Sequence, residues 1–134
     1  MLYILHQGNH PELNYKEGQG PIVHLQADFH TTIQWAVKKK VRWAFTDRNA
    51  GTYLVKFFND PNDLEKLNWK AIDATDFRDM VIKEGKQAEF LVFDAFPWSL
   101  VEEVGVRDAS VKTKVSKILK AITPPVRVKP EWYY

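Results

Sequence analysis

The 134-residue sequence predicts an α+β fold with a strand-dominated core and peripheral helices, on three observations. Short runs rich in β-branched and aromatic residues, such as Ile22-Val23-His24-Leu25 and Phe90-Leu91-Val92-Phe93, recur between turn residues. Two longer segments, near residues 29–39 and 109–122, place their apolar side chains at helical spacing instead. No internal repeat interrupts this alternation, and at 45% hydrophobic residues the chain can bury about two-thirds of its unfolded surface as a single domain, 1–134.

Taken in order, Leu2 to His6 reads as a short strand, and Gly8, Pro11, Gly18, Gly20 and Pro21 punctuate the stretch after it. Ile22 to Ala27 is a second strand. Asp28 suits the N-cap of a helix from Phe29 to Lys39, which directs Phe29, Ile33, Ala36 and Val37 inward. Lys38 to Lys40 then fall at its negative C-terminal end. Arg42 to Phe45 forms a third strand that runs into the polar turn Thr46-Asp47-Arg48-Asn49. A partly helical acidic region extends through Trp69 to Phe77, and a charged loop with Lys83, Glu84, Gly85 and Lys86 leads to the next strand. Pro97 opens a single turn ending near Glu102, and Val104 to Val106 is a short strand. Asp108 caps an amphipathic helix with Val111, Val115, Ile118, Leu119 and Ile122 on one face. Pro124-Pro125 stops that helix, and Val126 to Lys129 is the last strand.

The net charge of +2 points to no particular partner, but its distribution is uneven. Lys38, Lys39, Lys40, Arg42, Arg48 and Lys56 stand against Asp47 alone in their stretch, and Lys112, Lys114, Lys117, Lys120, Arg127 and Lys129 form a second basic stretch without an acid. Local stripes of this kind suit a phosphate backbone, or serve as solvated helix faces. Trp35, Trp43 and Tyr53 near the first stretch suit stacking against single-stranded bases, or simply core packing. The absence of cysteine excludes disulfides, thiolate zinc sites and cysteine catalysis. His6 and His10 have helical metal-pair spacing, but Gly8 and Pro11 oppose a helix there, and no metal site is expected. With no apolar run of membrane-spanning length and no leader-like start, the expectation is a soluble, cytoplasmic protein with no membrane partner.

The segment Gln87-Ala88-Glu89-Phe90-Leu91-Val92 sets one carboxylate in an apolar interior strand. Period-two alternation puts Glu89 on the side of Leu91 and Phe93. A charge so placed must be paired or border a cleft, because burying it alone costs several kcal/mol.

This segment is similar to one in the DarT family of DNA ADP-ribosyltransferase toxins. The likeness extends to the opening Met1-Leu2-Tyr3-Ile4-Leu5-His6-Gln7-Gly8-Asn9, to Pro21-Ile22-Val23-His24-Leu25, to Trp43 through Ala50, and to Leu67-Asn68-Trp69. It continues in Pro97-Trp98, Val104-Gly105-Val106 and Pro130-Glu131-Trp132-Tyr133-Tyr134. The resemblance implies an ADP-ribosyltransferase-like core that takes NAD as co-substrate and moves ADP-ribose to a base of single-stranded DNA, with thymidine the favoured base. It implies a macrodomain antitoxin as partner. Glu89 aligns with the catalytic glutamate of the family, which stabilises an oxocarbenium-like state, the electronic problem that glycosidases solve with carboxylates. The turn Thr46-Asp47-Arg48-Asn49-Ala50 looks like the segment lining the substrate cleft, with Thr46, Asp47, Arg48 and Asn49 as its candidate substrate or DNA contacts, and many relatives have a histidine in place of Asn49. Lys83 and Lys86 stand in the loop expected to meet DNA, with Arg78 upstream. Family members carry a further N-terminal segment with an arginine and a histidine that hold NAD, so residues 1–134 alone are expected to bind NAD weakly. Two alternatives stay open: an inactive domain that binds single-stranded DNA or antitoxin, and a transferase acting on RNA or protein.

Overall fold

The computed structural model describes residues 14–76, 78–120 and 124–133. In chain order the elements are β1 (Val23–Gln26), α1 (Phe29–Lys39), β2 (Trp43–Thr46), β3 (Phe57–Phe58), α2 (Trp69–Asp73), α3 (Met80–Gly85), β4 (Phe90–Val92), β5 (Glu103–Val106), α4 (Ala109–Leu119) and β6 (Val126–Val128). Short 3-10 turns occupy Pro61–Lys66, Trp98–Leu100 and Pro130–Trp132. These elements fall into two compact units, residues 29–96 and residues 1–28 with 97–134. The strand expected over Leu2 to His6 lies outside the described residues, as do Phe77 and Ile122.

In the unit of residues 29–96, β2 is the central strand of a three-stranded sheet, antiparallel to both β3 and β4. The register sets Trp43 opposite Val92, Ala44 opposite Leu91 and Phe45 opposite both Phe90 and Phe58. Opposed residues share a face, so Phe45, Phe90 and Phe58 gather on one side. There Phe29 of α1 meets Phe45 and Phe90, with ring centroids 5.8 and 5.0 Å away. Ile33 and Ala36 are buried with this cluster's helix, together with Thr32, whereas Val37 is 65% exposed and does not face inward as its spacing suggested. The helix ends at Lys40, whose φ of 56° carries the chain out to β2. α2 and α3 pack so closely that a Cβ on Gly85 would lie 2.8 Å from the Cβ of Ala71.

The other unit holds a sheet of order β1-β5-β6, with β1 antiparallel and β6 parallel to β5. Val104 and Val106 of β5, with Val101, make its core, and Val111, Val115 and Leu119 of α4 cover it. Asp108 caps α4 as expected, accepting from the Val111 amide at 3.0 Å. Ile118 departs from the expected apolar face and is 76% exposed. Trp132 lies over Gly105, where any Cβ would overlap its ring, and the Tyr133 hydroxyl donates to the Ile22 carbonyl at 2.7 Å. Glu103 pairs with Arg127 at 2.6 Å and lies 3.6 Å from Lys129, so two cations of the second basic stretch are engaged within the unit.

Candidate active site

β2 ends where its ladder with β4 opens. The Thr46 amide donates to the Glu89 carbonyl at 2.9 Å, continuing the antiparallel pattern. The reciprocal bond would run from the Glu89 amide to the Thr46 carbonyl. Instead that amide donates to the Thr46 hydroxyl at 3.0 Å. The same hydroxyl spends its one proton on the Arg48 carbonyl at 2.6 Å, with the Glu89 carbonyl a longer alternative at 3.3 Å. Thr46 is fully buried, at 0% exposure, so its side chain faces the main chain of the site and is closed to a ligand.

The turn that follows is held link by link. Asp47 accepts from the Lys56 amide at 3.0 Å and its own amide reaches the Lys56 carbonyl at 3.4 Å, closing the loop over residues 47–56. Arg48 Nη1 donates to Glu84 Oε2 at 2.9 Å, and its Nε lies 3.4 Å from Asp47 Oδ1, an ion-pair distance without hydrogen-bond alignment. Asn49 Oδ1 accepts from the Gly51 amide at 2.8 Å, the short-range closure expected of an Asx turn. Ala50 then donates its amide to Glu89 Oε2 at 2.7 Å. No hydrogen bond or ion pair to Glu89 Oε1 occurs among the described residues.

The turn of Thr46, Asp47, Arg48 and Asn49 therefore lies beside Glu89, joined to it through Thr46 and Ala50. Two expectations are corrected. Glu89 is exposed and immediately precedes β4, which is an edge strand among the described residues; its charge is met by a backbone amide and by solvent, with no burial to offset. The segment carrying Lys83 is the helix α3, with Lys86 at its C-cap, and not a loop, because Asp79 caps its start by accepting from the Val81 and Ile82 amides. Lys86 turns back, its ammonium donating to the Ile72 carbonyl at 2.9 Å, which joins α3 to α2. Lys83 is exposed on the same helix. Trp43 belongs to the ring cluster, 6.5 Å from Phe45, whereas Tyr53 on the 47–56 loop is 99% exposed. Sequence reasoning placed Ala50 in the cleft-lining turn without its bond to Glu89, and missed the parts played by Glu84 and Lys56: Ala50 and Lys56 act through backbone amides, which no residue type reveals, and Glu84 lies far along the chain from Arg48.

Among the described residues no three His, Asp or Glu side chains are placed to hold a metal ion, and no helix is long and apolar enough to cross a membrane. The arrangement offers an exposed carboxylate at a strand end, held through one oxygen by a backbone amide. The family model described as "ssDNA thymidine ADP-ribosyltransferase, DarT" matches residues 1–134.

The chain belongs to the DarT family. A DNA ADP-ribosyl transferase of Thermus aquaticus is 40% identical over 138 residues, covering 100% of this chain and 58% of its own length. Another from Thermus sp. strain 2.9 is 39% identical over 139 residues, with 100% and 63% covered. This DarT chain thus spans about three-fifths of the length of those curated relatives. Thermus sp. 2.9 DarT, solved in complex with NAD+ and with ADP-ribosylated ssDNA, superposes at a TM-score of 0.87 and 38% identity over 99% of this chain, which covers 66% and 63% of the two solved chains. The α+β fold is that of the DarT ADP-ribosyltransferases.

Proposed function

We propose that this DarT chain carries the catalytic part of an enzyme that moves ADP-ribose from NAD to a thymidine base in single-stranded DNA, with Glu89 as its catalytic residue. The observation that carries the reading is the exposed Glu89 carboxylate at the strand end, whose Oε2 accepts from the Ala50 amide at 2.7 Å. NAD enters as substrate and supplies the ribose whose bond to nicotinamide breaks. As that bond lengthens, positive charge grows on the ribose, and an ionised carboxylate beside it lowers the barrier. The thymine base brings an N–H as nucleophile. Its nitrogen forms the new bond to the ribose, its proton passes to Glu89 and on to solvent, and nicotinamide leaves with the electron pair of the broken bond. The family match and the Thermus complexes with NAD+ and with ADP-ribosylated ssDNA support this choice of substrates. Toxin activity, a macrodomain antitoxin and a cytoplasmic site of action go with the same reading.

The test is Glu89→Gln, which keeps an acceptor for the Ala50 amide while removing charge and basicity. Transfer of label from NAD to a thymidine-containing oligonucleotide is expected to fall by about two to four powers of ten, with the melting temperature unchanged. Equal rates for variant and parent would remove Glu89 from the mechanism.

A further inference from the structure

Arg48 stands between two roles. Its place in the turn beside Glu89, within the first basic stretch, suits a phosphate contact with DNA; its bonding does not. The guanidinium is ion-paired to two acids, donating from Nη1 to Glu84 at 2.9 Å and lying 3.4 Å from Asp47 through Nε, and its side chain is 27% exposed. Its carbonyl is held by the Thr46 hydroxyl at 2.6 Å, and that hydroxyl also takes the Glu89 amide. Two residues on, the Ala50 amide holds the Glu89 carboxylate. The turn is thereby fixed at its start by Thr46, at its middle by the pair of Arg48 with Glu84 on α3, and at its end by Glu89 itself.

We infer that Arg48 is a positioning residue: it holds the 46–50 turn against α3 so that the Ala50 amide stays on the Glu89 carboxylate, and it does not contact DNA phosphate. The inference rests on the reading of Glu89 given above. It has a consequence opposite to that of a phosphate contact. A cation bound to phosphate adds about 0.7 to the salt slope of single-strand binding and acts independently of Glu84. A positioning cation leaves that slope alone and loses its effect once Glu84 is neutral, because both changes break one link.

The experiment compares the parent, Arg48→Gln, Glu84→Gln and the double variant. Each single change is expected to lower kcat by about three- to fivefold, the scale of a partly exposed ion pair, with KM for NAD unchanged. The double variant should be no slower than either single one. The salt slope for binding a thymidine-containing oligonucleotide should match that of the parent in all four. Exchange of the Ala50 amide, followed by NMR on the protein alone, should quicken in all three variants. A slope reduced by about 0.7 in Arg48→Gln, with Ala50 exchange unchanged, would overturn the inference and leave the catalytic role of Glu89 standing. A parent chain that transfers no label would instead count against the proposed function, and the Ala50 exchange rates would then decide for or against the brace by themselves.

Discussion

Replacing Thr46 with Val tests how the strand end is built. Valine has nearly the same shape, so the change removes a hydroxyl without opening a cavity. Two groups lose their partner: the Arg48 carbonyl, bonded at 2.6 Å, and the Glu89 amide, bonded at 3.0 Å. Both bonds are partly buried, so each loss is set at the low end of the penalty for an unsatisfied polar group, about 1 kcal/mol, and the pair at about 2 kcal/mol. For a chain of this size that is about 6 to 10 °C in melting temperature. Thr46→Ser keeps the hydroxyl and loses only a buried methyl, about 1 kcal/mol, so it should melt between the two. Thermal unfolding followed by circular dichroism, with urea melts as a second measure, reads the series. A Thr46→Val protein melting within about 2 °C of the parent would show that the hydroxyl does not hold the ladder's end, and would leave the missing Glu89-to-Thr46 carbonyl bond without an explanation.

Two further outcomes concern the other unit. Gly105→Ala drives a methyl into the Trp132 ring and should cost about 1 to 3 kcal/mol in urea unfolding; an unchanged midpoint would mean that the 130–132 turn moves aside freely. Burial lowers the pKa of His24 below its ordinary 6.5, and its Nε2 is buried without a hydrogen-bond partner among the described residues. The folded state therefore binds the proton less readily than the unfolded chain. The stability contributed by neutral His24 is full above pH 6.5 and is lost as the pH falls through the lowered value. His24→Phe, which keeps a ring against Trp132 and Tyr133, should flatten the stability profile below that pH; an identical profile in the variant would assign the acid sensitivity elsewhere.

How much of this was readable from residues alone depended on the range of the interaction. α1, from Phe29 to Lys39, and the capped α4 were legible because caps and helical spacing act within a few residues. β3 was not: Phe57-Phe58 is a two-residue strand that exists only because Phe45 and Thr46 lie opposite it. α3 was hidden for a different reason, since Lys83, Glu84, Gly85 and Lys86 read as a solvated loop while the signal that starts the helix is the single Asp79 cap. At the site, the polar turn and Glu89 stood out as residue types. What joins them is the Thr46 hydroxyl and the Ala50 amide, acting across about forty residues of sequence, and such pairings depend on the register of β2 with β4.

The mixed sheet also bears on the order in which its strands assemble. β5 and β6 are parallel and joined through α4, so Val104 meets Val126 across about twenty residues of chain, most of them helical. β1 reaches the same β5 from about eighty residues away, Val23 opposite Val106, and closing so long a loop costs entropy before any contact is gained. Assembly of β5, α4 and β6 should accordingly precede the docking of β1. In a chevron analysis Val104→Ala should slow folding, while Leu25→Ala should chiefly speed unfolding. A slowed folding limb for Leu25→Ala would place the distant strand in the nucleus and reverse that order.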